Sequence, residues 1–141
     1  GQTLTSTMPR DGDAFVHYVR GIAYLRDSSS IAQAVAERAT ATRQAPKFAE
    51  AWSSLALAYA STAALVADPL ARDSLSKMAI AAVDRSSTLA PRAAHSWIAR
   101  GGVLASGDHP RPFDALVAYE RAVMLEPESA DAHRRLGRAM R

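Results

Sequence analysis

The same residue types recur along this chain at the same uneven intervals, and this recurrence constrains the fold more than any other feature. A proline series, an alanine series and an aromatic series each step by 45 and then by 36 residues. Their members are Pro46, Pro91 and Pro127; Ala34, Ala79 and Ala115; and Trp52, Trp97 and His133. Three series that share one uneven pair of intervals indicate a repeated supersecondary unit, one copy of which has changed in length.

The composition favours closely packed helices. Hydrophobic residues make up 48% of the 141 residues, yet aromatic residues make up only 6%, and alanine accounts for much of the difference. Alanine is the best helix former and a small core residue. No segment alternates apolar and polar residues over enough length to predict a strand. We therefore predict an all-α fold.

Helical spacing of apolar residues predicts seven helices with short connections. The first begins near Asp13, and the last runs from Ser129 to the end of the sequence. Each proline of the repeated series ends a helix, because the residue before proline is disfavoured in the α conformation. Asp68 followed by Pro69 is typical of a helix start. Consecutive helices with short connections pack as antiparallel pairs.

These pairs resemble tetratricopeptide repeats (TPRs), whose pattern is W-x2-L-G-x2-Y, then A-x3-F, then P. The second unit carries Trp52, Leu55, Ala56, Tyr59, Ala79, Val83 and Pro91. The third carries Trp97, Arg100, Gly101, Leu104, Ala115, Tyr119, Ala122 and Pro127. The first carries His17, Arg20, Gly21, Tyr24, Ala34, Arg38, Ala41 and Pro46, and the last helix carries His133, Leu136, Gly137 and Met140. In this motif the small residues admit the partner helix.

The resemblance implies an α-solenoid of about three TPR pairs followed by a seventh helix. Its units are residues 13–46, 48–91, 93–127 and a half repeat at 129–141, preceded by a flexible tail or linker at 1–12. The second unit contains about eleven extra residues near 62–72, which we expect the third helix to absorb as extra turns. Residues 49–59 with this insertion are similar to TPR regions of bacterial serine/threonine kinases and transcription regulators.

Stacked TPR pairs have a concave face lined by the first helix of each pair. The helical period then predicts a partner-binding groove formed by Phe15, Tyr18, Ile22, Leu25, Ser53, Leu57, His95, Ile98, Arg134 and Arg138. Apolar residues with a basic end suit an acidic or amphipathic segment. The alternative is that the aromatic residues of the first unit pack against the tail or a neighbouring chain. A clamp for an acidic chaperone tail is disfavoured, because Tyr18, Ile22, Ser53 and Leu57 occupy its Lys, Asn and Arg positions.

The sequence contains no pattern that indicates catalysis, a cofactor or a metal. None of His17, His95, His109 and His133 lies three or four residues from another, as a zinc site on one helix requires. Neither Ser86–Ser87 nor residues 28–30 have a histidine or aspartate at a recognisable offset, and no glycine-rich phosphate loop is present. The sequence contains no cysteine, which excludes disulfides and thiol catalysis.

We therefore expect a non-enzymatic scaffold that binds a protein or peptide segment. The alternative is a regulatory or oligomerisation module of a larger bacterial signalling enzyme or transcription regulator, and self-association through the terminal helix stays open. The arginines near the C-terminus are better explained by the helix macrodipole than by nucleic-acid binding. No apolar run is long enough to span a bilayer. We expect a cytoplasmic location, although a first residue of Gly1 leaves room for a removed signal or anchor.

Overall fold

The computed structural model of the chain describes residues 31–107 and 109–141, and this part is all-helical. Six helices occur there, with no strand among the described residues: α1 (Ile31–Gln44), α2 (Ala49–Leu65), α3 (Pro69–Leu89), α4 (Ala94–Ala105), α5 (Pro112–Leu125) and α6 (Ala130–Ala139). The predicted fold class is confirmed. The helix predicted from Asp13 and the tail at 1–12 lie outside the described residues.

Three turns of the same design connect the repeated units. In each, the residue before the proline accepts a backbone hydrogen bond from the residue three positions later: Phe48 to Ala45 (3.0 Å), Ala93 to Ala90 (3.1 Å) and Ser129 to Glu126 (3.0 Å). Proline cannot donate a backbone hydrogen bond, and it prevents the preceding helix from continuing. The recurrence of proline in the sequence therefore corresponds to a recurrence of backbone geometry.

The repeated aromatic position contacts the repeated proline. The indole Nε1 of Trp52 donates to the carbonyl oxygen of Pro46 at 2.8 Å, and that of Trp97 donates to Pro91 at 3.1 Å. His133 Nε2 lies 2.8 Å from the carbonyl oxygen of Pro127. A carbonyl oxygen only accepts, so this hydrogen bond requires the tautomer of His133 that carries its proton on Nε2. Histidine thus replaces tryptophan because both rings present an N–H at this position.

The helices pack as pairs whose centres are built from alanine. Helix α2 packs most extensively on α3, and α4 on α5, while α1 and α4 both contact α2. Ala34, Ala79 and Ala115, the repeated alanines, are at most 1% exposed. The largest core cluster lies between α2, α3 and α4 and contains Leu55, Ala56, Ala60, Ala79, Ala82, Val83, Ala99 and Val103.

The small-residue position of the motif behaves differently in α4 and α6. A Cβ atom added at Gly101 would lie 2.6 Å from Cζ and 2.7 Å from Cδ1 of Tyr119 in α5. Tyr119 therefore occupies the space that a side chain at position 101 would need. A Cβ added at Gly137 would meet no atom of the described residues within 4 Å. Close approach explains the glycine in α4 but not the glycine in α6.

Two arginines that depart from the TPR pattern tie helices together. Arg38 of α1 is only 2% exposed, and its Nη1 donates to the carbonyl oxygen of Ser54 in α2 at 2.7 Å. Arg100 of α4 donates to Asp84 of α3 at 2.8 Å and lies over the Trp97 ring, 5.7 Å from its centroid. Both side chains place polar contacts where the motif has apolar packing.

The extra residues of the second unit lengthen both of its helices. Helices α2 and α3 contain 17 and 21 residues, whereas α4 and α5 contain 12 and 14. The third predicted helix corresponds to α2, and the expectation that it absorbs all the extra residues is therefore wrong. Asp68 and Pro69 place the turn near the middle of the added segment and divide this segment between α2 and α3. The α2–α3 hairpin extends about one to two turns beyond its shorter neighbour.

No described helix combines the length and apolarity needed to cross a bilayer.

Candidate partner-binding groove

Six of the predicted groove residues lie in the described part of the chain, on the first helices of successive units. Ser53 and Leu57 are in α2, His95 and Ile98 in α4, and Arg134 and Arg138 in α6. Phe15, Tyr18, Ile22 and Leu25 lie outside the described residues. By the 45- and 36-residue intervals, the equivalent positions form two rows: Ser53, Ile98 and Arg134; and Leu57, Gly102 and Arg138.

The second row shows that the faces of α2 and α4 meet directly. A Cβ atom added at Gly102 would lie 2.8 Å from Cδ2 of Leu57, so the leucine side chain covers the glycine. Both residues are half-buried, and α4 packs against α2. The row continues to Arg138, which is exposed and forms no ion pair with other described residues. It thus changes from apolar to basic along the array.

The first row begins in the interior. Ser53 is 5% exposed, so its hydroxyl belongs to the packed junction between helices. Ile98 is half-buried and packs against the cluster of Ala94, Ala122 and Ala132. Arg134 is exposed, and it pairs with Asp131 one turn earlier in α6 at 2.5 Å. Ile98 and Arg134 therefore present more surface to solvent than Ser53 does.

The structure brings together three serines and a histidine that the sequence search did not connect. Ser53 Oγ lies 2.6 Å from Ser86 Oγ of α3 and 2.8 Å from Nδ1 of His95. Ser86 Oγ also lies 2.7 Å from Ser96 Oγ, and it donates to the carbonyl oxygen of Ala49 at 2.9 Å. The cluster joins α2, α3 and α4. The serines are separated by 33 and 10 residues, a spacing that no sequence motif marks.

One proton arrangement fits the closest contacts of this cluster. When Ser86 donates its single hydroxyl proton to the Ala49 carbonyl, Ser53 and Ser96 donate to Ser86. In that arrangement Ser53 has no proton left for His95, so the histidine donates from Nδ1, and the longer contact of Ser96 with the Ala90 carbonyl, at 3.5 Å, has no proton. Its Nε2 is then a buried hydrogen-bond acceptor without a partner among the described residues. His95 therefore serves Ser53 as a donor in this arrangement.

Burial lowers the pKa of His95 from 6.5 to about 4. The charged imidazolium would lose its hydration in this site. In addition, protonating Nε2 would create a buried donor with no acceptor. Both effects favour the neutral ring at neutral pH.

The arrangement does not present a nucleophile to a substrate. Ser53 Oγ is buried beneath helix packing, and in the proton arrangement above the ring nitrogen beside it carries a proton. A general base must have a free lone pair directed at the hydroxyl it activates. Among the described residues, no group of three or more His, Asp, Glu or Cys side chains is arranged to hold a metal ion. The chemistry available along this face is hydrogen bonding, apolar contact and charge.

A separate pocket of about 420 Å³ lies beside the long α2–α3 hairpin. Its walls come from the distal part of that hairpin, the end of α4 and the segment after it. The lining residues are Ala60, Ala63, Pro69, Asp73, Ser76, Ala79, Ile80, Val103, Leu104, Ser106, Gly107, His109 and Arg111. The only signal for this pocket in the sequence is the insertion, because a longer hairpin beside a shorter one leaves an uncovered flank.

Comparison with known proteins supports the architecture. No protein-family profile matches the chain, and no curated protein matches it by sequence. Among solved structures, the chain is similar to the first TPR of Spaghetti (RPAP3) bound to the HSP90 peptide SRMEEVD, with a TM-score of 0.65. The similarity covers 91% of this chain and 90% of that one, at 18% sequence identity. The chain has the helical-repeat fold of a TPR domain.

Proposed function

We propose that the chain is a binding module that holds a peptide segment along the face formed by α2, α4 and α6. The observation that carries the proposal is the direct contact of Leu57 with Gly102. It places equivalent faces of successive first helices side by side. Such a face is continuous from one unit to the next, and the half-buried Leu57 and Ile98 leave apolar surface on it.

The gradient along the two rows defines the chemistry of the partner. At the α2 and α4 end, Leu57 and Ile98 offer apolar contact, and the Leu57 side chain lies over Gly102. At the α6 end, Arg134 and Arg138 are exposed and basic. A segment with apolar side chains followed by acidic ones complements this order, since opposite charges both strengthen and orient association. An amphipathic helix or an extended strand can carry that pattern.

The peptide in the similar solved structure, SRMEEVD, is acidic towards its end. In this chain the α2 positions of the face are Ser53 and Leu57, and neither can pair with a carboxylate by charge. Basic residues occur instead in α6. We therefore propose that acidic groups of the partner are held at α6, and that a carboxylate clamp at α2 is not used.

We further propose that the module has no catalytic activity of its own. Among the described residues, Ser53 and His95 are the serine and histidine that lie within hydrogen-bonding distance of each other, and in the proton arrangement described above the histidine N–H points towards the serine. The network holds three helices in register behind the proposed groove.

Selection of peptides by display on the wild-type chain tests the groove. We expect the selected peptides to lose affinity by at least about tenfold on Leu57→Asp, because a carboxylate replaces the central apolar contact. Arg138→Glu should weaken peptides with acidic ends, and raised salt should weaken the same peptides on the wild type. Binding is measured by isothermal titration calorimetry, and circular dichroism checks the folding of each variant.

Ser74→Asp is the matched control, because Ser74 is exposed on α3 and away from this face. It introduces the same charge and should leave peptide affinity unchanged. Equal affinity of the peptides for the wild type and Leu57→Asp would contradict the groove.

A stripe of exposed apolar residues on α5 favours a second candidate function, oligomerisation within a larger signalling enzyme or transcription regulator. Phe113, Val117 and Met124 are 80%, 54% and 75% exposed. Their equivalents in α3, 36 residues earlier, are Lys77, Ala81 and Thr88, which are also exposed although α4 follows them. The packing of a further repeat therefore does not explain why these α5 positions are apolar. Exposed apolar patches often mark interfaces between proteins.

Self-association should then depend on this stripe. Val117→Asp is expected to raise the dissociation constant of an oligomer by at least about tenfold, as measured by analytical ultracentrifugation. Ala81→Asp changes the equivalent exposed position of α3 and should have no effect. A wild-type chain that is monomeric at concentrations up to the order of 100 µM would exclude this function for the described fold.

A further inference from the structure

The pocket beside the α2–α3 hairpin exists because one unit of the array is longer than the next. Pro69 and Asp73 of its lining lie in or next to the added residues, whereas Val103 and Leu104 belong to the shorter α4. In an array of equal hairpins, the end of one unit would lie level with the end of the next. Here the extended hairpin stands beyond α4 and forms one wall, and the residues after α4 form the opposite wall.

The segment after α4 is held in place by backbone geometry. The backbone N–H of Arg111 donates to the carbonyl oxygen of Leu104 at 2.7 Å, which brings the two ends of the connection together. Gly107 has a φ of 89°, in the left-handed region that favours glycine. A Cβ added at Gly107 would lie 3.6 Å from Ser76 Oγ of α3, so the connection approaches the extended hairpin closely.

Apolar and polar groups both line the pocket, and its charged groups balance. Small residues such as Ala60, Ala63 and Ala79 leave the space unfilled, and Ile80 adds an aliphatic side chain. Among the polar lining residues, Asp73 forms an ion pair with Lys77, and Arg111 forms one with Asp114. Hydroxyl and imidazole groups on Ser76 and His109 add both donors and acceptors. No single charge dominates the pocket.

We infer that this pocket is an anchor site for one large apolar side chain of a bound peptide, with the adjoining peptide groups at its polar residues. A volume of about 420 Å³ exceeds that of one large side chain and leaves room for the neighbouring backbone. Balanced donors and acceptors suit neutral amide groups better than an isolated anion or cation. Ala60 lies about one turn after Leu57 on α2, so the pocket begins about one helical turn from the proposed groove.

The inference rests on the proposed peptide-binding function, but occupation of the pocket can be measured without a known partner. The probe is N-acetyl-L-tryptophanamide, a single large residue flanked by two neutral amides, and N-acetyl-L-alaninamide is its small analogue. With the ¹⁵N-labelled chain, the tryptophan probe should shift the amide signals of Ala63, Ser76, Ile80 and Gly107 saturably. Its Kd should be roughly millimolar or lower and at least about tenfold below that of the alanine analogue.

Blocking the pocket is the decisive comparison. Ser76→Trp should fill the space and abolish the shifts, whereas Ser74→Trp, an exposed position on the same helix, should retain them. If Ser76→Trp does not fold, Ser76→Leu fills less of the pocket and should weaken the probe. Absence of saturation at the solubility limit of the probe, equal binding of both analogues, or binding unchanged by a folded blocking variant would each overturn the inference.

Leu57→Asp separates this inference from the groove. It should leave the tryptophan probe bound, because Leu57 does not line the pocket. If no peptide is selected but the tryptophan probe binds, the groove is refuted and the pocket remains a site for a single side chain. Conversely, peptides that bind the groove but keep their affinity when the pocket is blocked would refute the anchor role.

Discussion

Gly101→Ala is expected to destabilise the fold by about 1–3 kcal/mol, while Gly137→Ala is expected to stabilise it by about 0.5–1 kcal/mol. The two glycines occupy the same position of the repeat, 36 residues apart. The substitution is identical, and both sites are helical. Only the tertiary surroundings differ, so the opposite signs isolate the contribution of helix packing.

The physical reason is the position of Tyr119. A Cβ atom at residue 101 would come within 2.6 Å of its ring, and the ring is only 6% exposed. Tyr119 must therefore shift against packed neighbours, and the cost exceeds the gain in helix propensity from replacing glycine. No atom of the described residues lies within 4 Å of the new atom at residue 137, so the propensity gain remains.

Urea denaturation followed by circular dichroism measures both changes. Repeat arrays can unfold in parts, so the midpoints and slopes are compared for the wild type and each variant. Equal effects at the two positions, or a neutral Gly101→Ala, would show that α4 and α5 do not approach as described.

Lowering the pH from 7.5 to 5 is expected to reduce the free energy of unfolding by about 2 kcal/mol through His95 alone. Its pKa is about 4 in the folded chain and 6.5 in the unfolded one. Between these values the unfolded state binds more protons, so acid favours unfolding. The contribution is fully present above pH 6.5 and is lost as pH falls towards 4, when about 3 kcal/mol has been removed.

The measurement is urea denaturation of the wild type and His95→Gln at several pH values. Glutamine does not titrate in this range, and its amide can still donate to Ser53. Carboxylates contribute equally to both proteins, so the difference between the two pH profiles isolates His95. A wild-type profile parallel to that of His95→Gln would refute burial of the neutral ring.

The architecture could be predicted because each unit contains the same short-range sequence signals for its helices and turns. Proline ends a helix through its own ring, and the indole or imidazole six residues later lies within reach of the proline carbonyl. The sequence places the start of the last helix at Ser129, and the Ser129 hydroxyl accepts a hydrogen bond from the backbone N–H of Ala132 at 3.1 Å, as a helix N-cap does. These relations span only a few residues, so spacing alone revealed them.

The candidate site was predicted less completely. The period of the first helices predicts Leu57, Ile98 and Arg138 on one face, and all the groove residues, like the partner, remain predictions. The same period assigned Ser53 to the groove, where the structure shows a buried hydroxyl. The helical period shows on which face of a helix a side chain lies. Whether that side chain is buried depends on how closely the neighbouring helices approach.

The kind of unit, its recurrence and the positions of its turns are encoded in the sequence, because these follow from backbone restrictions and from spacing within one hairpin. The packing of the helices settles which glycine is crowded, which histidine is buried, and how the insertion is shared between α2 and α3. It alone joined Ser53, Ser86, Ser96 and His95. Such contacts depend on the distances between helices that are far apart in the chain, and no local pattern encodes those distances.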